Sequence, residues 1–116
     1  MPNGQIRELI FSDEFDEYFN SLPDNIKEKF DYVMHIMRTQ KVVNTKFVKH
    51  LENTEFYEMR VSISSNEYRS IIFAVDGRSF MESKNILLLN GFLKKSTKQY
   101  KSEVSKARSI MSKLEE

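Results

Sequence analysis

The stretch FYEMRVSISSNEYRSIIFAV, Phe56–Val75, decides the fold. In its first run Tyr57, Met59, Val61 and Ile63 alternate with Phe56, Glu58, Arg60 and Ser62, which is the two-residue period of a strand with two distinct faces. Ser64–Glu67 is a short polar link, and Tyr68–Val75 is again rich in aromatic and β-branched residues. Two such runs across a short link predict a β-hairpin. Asp76-Gly77 signals a tight turn after it, and a Leu-rich run at Asn85–Phe92 predicts a further strand.

Outward from this hairpin the period lengthens. On the N-terminal side Ser12 offers a helix cap, followed by acids at 13, 14, 16 and 17 that suit the positive end of a helix. Phe15, Tyr18, Phe19 and Leu22 then fall at helical spacing. Pro23 interrupts the pattern and fits the first turn of a second helix, Asp24 to about Gln40, whose stripe is Ile26, Phe30, Val33, Met34 and Met37. Ile6–Phe11 reads as a short strand before this helical hairpin. On the C-terminal side Val104, Ala107, Met111 and Leu114 mark a last helix from about Ser96. The expected order is β-α-α-β-β-β-α. This is an α+β domain over residues 1–116, with an N-terminal strand and helical hairpin packed on a mainly antiparallel sheet and a C-terminal helix.

Composition narrows the chemistry. Cysteine is absent and only His35 and His50 are present, so disulfides and thiolate metal sites are excluded and a His-based metal centre is not expected. No Gly-rich phosphate loop can be built from three scattered glycines. The first residues show neither a basic start nor an apolar signal region, and no apolar run approaches membrane-spanning length. A cytoplasmic location is therefore expected, with no membrane partner. The net charge of +1 hides an asymmetry: residues 1–40 balance to −4 and residues 41–116 to +5, and residues 94–113 carry seven basic side chains against Glu103 alone. Such a distribution suits a polyanion on one face, although a solvated Lys-rich helix has the same signature.

Three segments together carry a family resemblance. VKHLENTEFYEMRV (Val48–Val61), EYRSIIF (Glu67–Phe73) and LLLNGFLKKSTKQ (Leu87–Gln99), followed by Glu103, Ala107 and Arg108, resemble in order and spacing the RelE/ParE toxin superfamily, in particular its phage-derived HigB-like branch. The similarity runs over residues 6–114. Two positions depart from the pattern: Asn90 stands where the branch commonly has His, and Gln99-Tyr100 where a Thr-Pro pair is frequent. Asn90 cannot shuttle a proton.

The resemblance implies a toxin of a type II toxin–antitoxin pair, a ribosome-dependent endoribonuclease of messenger RNA (an mRNA interferase) needing neither metal nor cofactor. Its implied partners are a cognate antitoxin, expected to be a helix-turn-helix DNA-binding protein, and the ribosome with its message. Cleavage of this kind needs a base for the ribose 2′-hydroxyl, positive charge on the phosphate and an acid for the departing oxygen. The expected catalytic set is Arg60, Arg69, Lys94, Lys95 and Tyr100. The two arginines would grip phosphate, the lysines would act as acid–base or orienting groups, and Tyr100 would stack a base or assist proton transfer. Lys46, Lys49, Phe92 and Lys98 are expected to bind RNA. The ordinary alternatives are a sheet arginine paired with Glu58 or Glu67, a core Phe92, and a Tyr100 that packs the last helix down. His50 is a weaker candidate base, and His35 reads as structural. Two other functions fit the same fold: a ParE-like protein that inhibits DNA gyrase without cleaving anything, and an inert homologue that binds only antitoxin.

Overall fold

The computed structural model describes residues 4–115; residues 1–3, part of the start read above as lacking a signal region, lie outside it. The chain runs β1 (Glu8–Phe11), α1 (Asp13–Asn20), α2 (Asp24–Thr39), β2 (Val48–His50), β3 (Phe56–Ile63), β4 (Asn66–Ala74), β5 (Asn85–Leu93) and α3 (Gln99–Leu114). The strands form one sheet in the order β1-β5-β4-β3-β2, in which β1 runs parallel to β5 and every other pair is antiparallel. The expected α+β order is found, and the short edge strand β2 is an addition to it. Among the described residues no helix is long and apolar enough to cross a membrane.

Local chemistry explains the junctions. The Ser12 hydroxyl accepts from the Phe15 amide at 3.0 Å and donates to the Leu89 carbonyl at 2.5 Å, so one side chain caps α1 and ties it to β5. Pro23 precedes α2 as its cap, where a missing N–H costs nothing. The β3–β4 link is tighter than the expected four residues. Ile63 pairs with Asn66, leaving Ser64 and Ser65 alone in the turn at φ 48° and 68°. Both central residues in the left-handed region match the twist of a two-residue hairpin, but a side chain there costs about 1 kcal/mol or more. Replacing Ser64-Ser65 by Asn-Gly should therefore raise stability by roughly 1 kcal/mol, read as a higher denaturant midpoint.

The sheet is buried on both faces. One packs on α1 and α2 through Phe15, Phe30, Val33, Met37, Met59, Val61, Ile72 and Leu88. The other packs on α3 through Phe56, Ile71, Leu89, Phe92, Ala107 and Ile110. β3 keeps the alternation of its sequence, with Met59 and Val61 on the first face and Phe56 on the second. β5 does not. Ile71 pairs with Asn90 and Ile72 with Leu88, so Leu89 is an extra residue in a bulge. The bulge changes the phase of the strand, so that Leu87 and Phe92, of opposite parity, both serve the α3 face.

Candidate active site

The strand register sets Arg60, Arg69 and Phe92 side by side across β3, β4 and β5. Two arginines directly opposite on one face repel unless an anion lies between them. Glu58, two residues along β3 on the same face, is that anion. Its Oε1 lies 3.0 Å from Arg69 Nε and accepts the Tyr100 hydroxyl at 2.6 Å, while its Oε2 lies 3.9 Å from Arg60 Nε. Tyr100 enters from the first turn of α3, and Arg69 Nε also reaches its hydroxyl at 3.3 Å.

Arg69 is only 1% exposed. Its remaining donors go to Glu67 Oε1 at 3.0 Å and the Tyr68 carbonyl at 3.1 Å. Burial alone would lower its pKa, but the bonds to Glu67 and Tyr100 and the charge of Glu58 outweigh burial and raise it. The same network holds the Glu67 carboxyl below the usual range, through hydrogen bonds from Ser62 and Arg69. Burial, reinforced by the bond to Glu58, pushes the Tyr100 hydroxyl up to about 12. Tyr100 therefore keeps its proton at neutral pH and donates it in a hydrogen bond to Glu58.

Above this buried network opens a cleft of about 230 Å³, lined among others by Lys49, Glu58, Arg60, Lys94, Thr97 and Tyr100. Lys94 arrives from the end of β5, its amide bonded to the Glu67 carbonyl at 2.7 Å and its ammonium 5.7 Å from the centre of the Tyr100 ring. Arg60 keeps a quarter of its side chain exposed and donates to the Thr45 carbonyl at 3.1 Å. Of the expected residues, Arg60, Lys94, Tyr100 and Lys49 meet at this cleft. Arg69 lies buried beneath it, outside its lining, where it holds Glu58 and Tyr100. Lys95 and Lys98 are exposed beside the cleft and do not line it, and Lys46 lies in a neighbouring groove.

Phe92 needs correction as an RNA contact. It is buried at 7% exposure, edge-on to Tyr100 at 5.6 Å, and no base can reach its face. His50 borders the cleft, but its ring packs against its register partner Tyr57 at 5.1 Å, with Nε2 2.8 Å from the Thr54 carbonyl. His35 is exposed on α2. Asn90 is buried, donates to the Glu103 backbone and carboxylate at 3.2 and 2.9 Å, and lines a separate groove between α1 and α3. The departure from the His pattern at this position thus falls outside the Lys94–Arg60 cleft. The residue that sequence reasoning underrated is Glu58, named only as an arginine's partner. Its signal was an acid at a strand position shared with Phe56, a core face.

The fold matches a solved structure of the E. coli toxin RelE, a double Arg-to-Ala mutant in the free state, at a TM-score of 0.61 and 13% sequence identity over 86% of this chain and 96% of that one. No curated protein sequence matches the chain. The model of the family described as "Phage derived protein Gp49-like" matches residues 17–112, from the second half of α1 through the four strands β2–β5 and nearly to the end of α3. That span contains every residue of the cleft, and the chain belongs to the phage-derived Gp49-like family.

Proposed function

We propose that this chain is the toxin of a type II toxin–antitoxin pair, of the HigB-like kind, and that it cuts messenger RNA on the ribosome in the cytoplasm. The observation that carries this reading is the cleft in which Arg60, Lys94 and Lys49 converge over a carboxylate fixed by Arg69 and Tyr100. A phosphodiester seated there meets cations on two strands, and arginine offers its two-pronged grip to phosphate oxygens. Glu58 Oε1 is occupied by Tyr100 and Arg69, whereas Oε2 accepts no hydrogen bond among the described residues. Oε2 is thus the oxygen available to take the proton of a ribose 2′-hydroxyl. The 2′-oxygen attacks phosphorus, the bond to the 5′-oxygen of the next nucleotide breaks, and the Lys94 ammonium supplies that oxygen's proton. Arg60 holds the charge of the pentavalent phosphate, and Arg69 acts as a positioning residue. The products are a 2′,3′-cyclic phosphate and a 5′-hydroxyl.

The excess of basic residues after position 40 suits ribosomal RNA, and its contribution should weaken as salt rises. An antitoxin that covers the cleft would silence the protein. A helix-turn-helix protein encoded nearby is the expected partner.

Controlled expression followed by primer extension on cellular messages tests the reading. Wild-type protein should give ribosome-dependent cuts with 5′-hydroxyl ends. Arg60→Ala and Lys94→Ala, both at the cleft mouth, should each lower cutting by about 100-fold, the loss typical of removing one donor to transition-state charge. Intact messages with DNA damage would instead favour the gyrase-binding reading, and a folded protein without effect on growth the inert one.

A further inference from the structure

On the other side of Arg60 lies a second groove, about 170 Å³ in volume, lined by Lys29, Tyr32, Val33, Lys46, Phe47, Arg60 and Ser62. Tyr32 sits on α2 outside the buried stripe and is 52% exposed. Its ring meets that of Phe47, from the loop before β2, at 6.1 Å and 77°. Each ring carries a lysine: Lys29 Nζ lies 5.1 Å from the centre of Tyr32, and Lys46 Nζ 4.9 Å from that of Phe47. No acid lines the groove, and among the described residues neither lysine is in an ion pair. An aromatic that folding leaves half in water, topped by an unpaired cation, is poorly explained by the core. Lys46 is exposed and Lys29 half-buried, and both long stems leave the ammonium free to swing from ring face to phosphate.

We propose that this groove is a second RNA subsite. It takes one base of single-stranded RNA against Tyr32 and Phe47, with Lys29 and Lys46 on the flanking phosphates, adjacent to the nucleotide whose phosphodiester lies in the cleft. Arg60 lines both hollows, which therefore meet at one side chain. The groove is smaller than the about 300 Å³ at which pockets for larger ligands begin, so it suits a single planar base. Every base has a π-face, and stacking on an aromatic side chain tolerates any sequence. An acidic peptide matches the cations equally well but gains little from the rings. This inference rests on the reading that RNA occupies the Arg60 cleft, and it is tested without cleavage.

The test is the affinity of the full chain for a fluorescent single-stranded RNA hexamer with 2′-O-methyl sugars, which cannot be cut. Tyr32→Ala should weaken binding by about tenfold or more, and Tyr32→Phe, which keeps the ring, should bind as wild type does. Lys29→Ala with Lys46→Ala should also flatten the salt dependence by a slope of about 0.7 per phosphate lost. Tyr32 is half exposed, so its variants should melt with the wild type. Absence of hexamer binding by the wild type, or equal affinity of Tyr32→Ala, overturns the subsite; cuts mapped in cells by the same protein would leave the nuclease reading standing. Polyglutamate bound as tightly and with the same dependence on Tyr32 overturns it in favour of an acidic protein partner.

Discussion

Arg69→Ala is expected to lose message cleavage and about 3–5 kcal/mol of stability together, because it strands a buried carboxylate. Glu58 is 5% exposed, and Arg69 is its near cation at 3.0 Å. Without the guanidinium, Glu58 keeps the Tyr100 hydroxyl and an Arg60 nitrogen at 3.9 Å, too distant for a hydrogen bond. Urea unfolding should show a lower midpoint. Arg69→Met with Glu58→Met, which removes both charges, should recover most of the loss, since an apolar replacement of a buried pair is often neutral. It should recover no cleavage, because Glu58 is gone. Arg60→Ala provides the contrast: a partly exposed arginine whose removal costs about 1 kcal/mol or less yet takes cleavage with it. If Arg69→Ala unfolds at the wild-type midpoint, the carboxylate is not dependent on Arg69 and the positioning role is wrong.

The depth of Arg69 shows what the sequence can and cannot express. The alternation of Phe56–Ile63 placed Glu58 and Arg60 on one face and Met59 and Val61 on the other, and the sheet is built that way. Period reveals the face of a residue but not how far under a covering helix it lies. That depends on where α3 crosses, which is a matter of contacts between Tyr100, Phe92 and Glu58 distant in the chain. Hence Arg60 and Arg69 looked equivalent, and Phe92 looked available. β2 escaped notice because three residues are too few to display a period, and the β5 bulge because an extra Leu in a Leu-rich run leaves no trace. The helices were readable because their stripes span whole turns and Ser12 and Pro23 punctuate them. The paired Tyr32 and Phe47 are fifteen positions apart on a helix and a loop, a meeting that only the fold creates.

Arg7 should prove the costliest side chain to remove. It is 1% exposed and among the described residues has no carboxylate partner; there its guanidinium donates to backbone carbonyls alone. Met37 and Gln40 accept from Nη1 at 2.9 and 2.6 Å, Lys41 and Met81 from Nη2 at 2.8 and 3.1 Å, and Phe80 from Nε at 3.2 Å. The Phe80 ring also lies 4.4 Å from the guanidinium carbon. Met37 and Gln40 stand at the C-terminal end of α2, where helix carbonyls lack internal partners and the helix dipole is negative. The cation is therefore neutralised by oriented dipoles. Burial lowers its pKa, but an arginine remains charged at neutral pH. One side chain thus joins β1, the end of α2 and the segment before β5. Arg7→Met fills the stem's volume but leaves those carbonyls unsatisfied, at about 1–3 kcal/mol for each that water fails to reach. The expected loss is about 4 kcal/mol or more, a large part of the roughly 5–15 kcal/mol that holds a domain folded. Arg7→Lys should fall between, since an ammonium has three donors where the guanidinium has five. Denaturant midpoints should rank wild type, Arg7→Lys, Arg7→Met, while cutting per folded molecule stays unchanged because Arg7 lines no part of the cleft. Equal midpoints would mean that water replaces the guanidinium at no cost, and that the dipole cage does not hold these elements together.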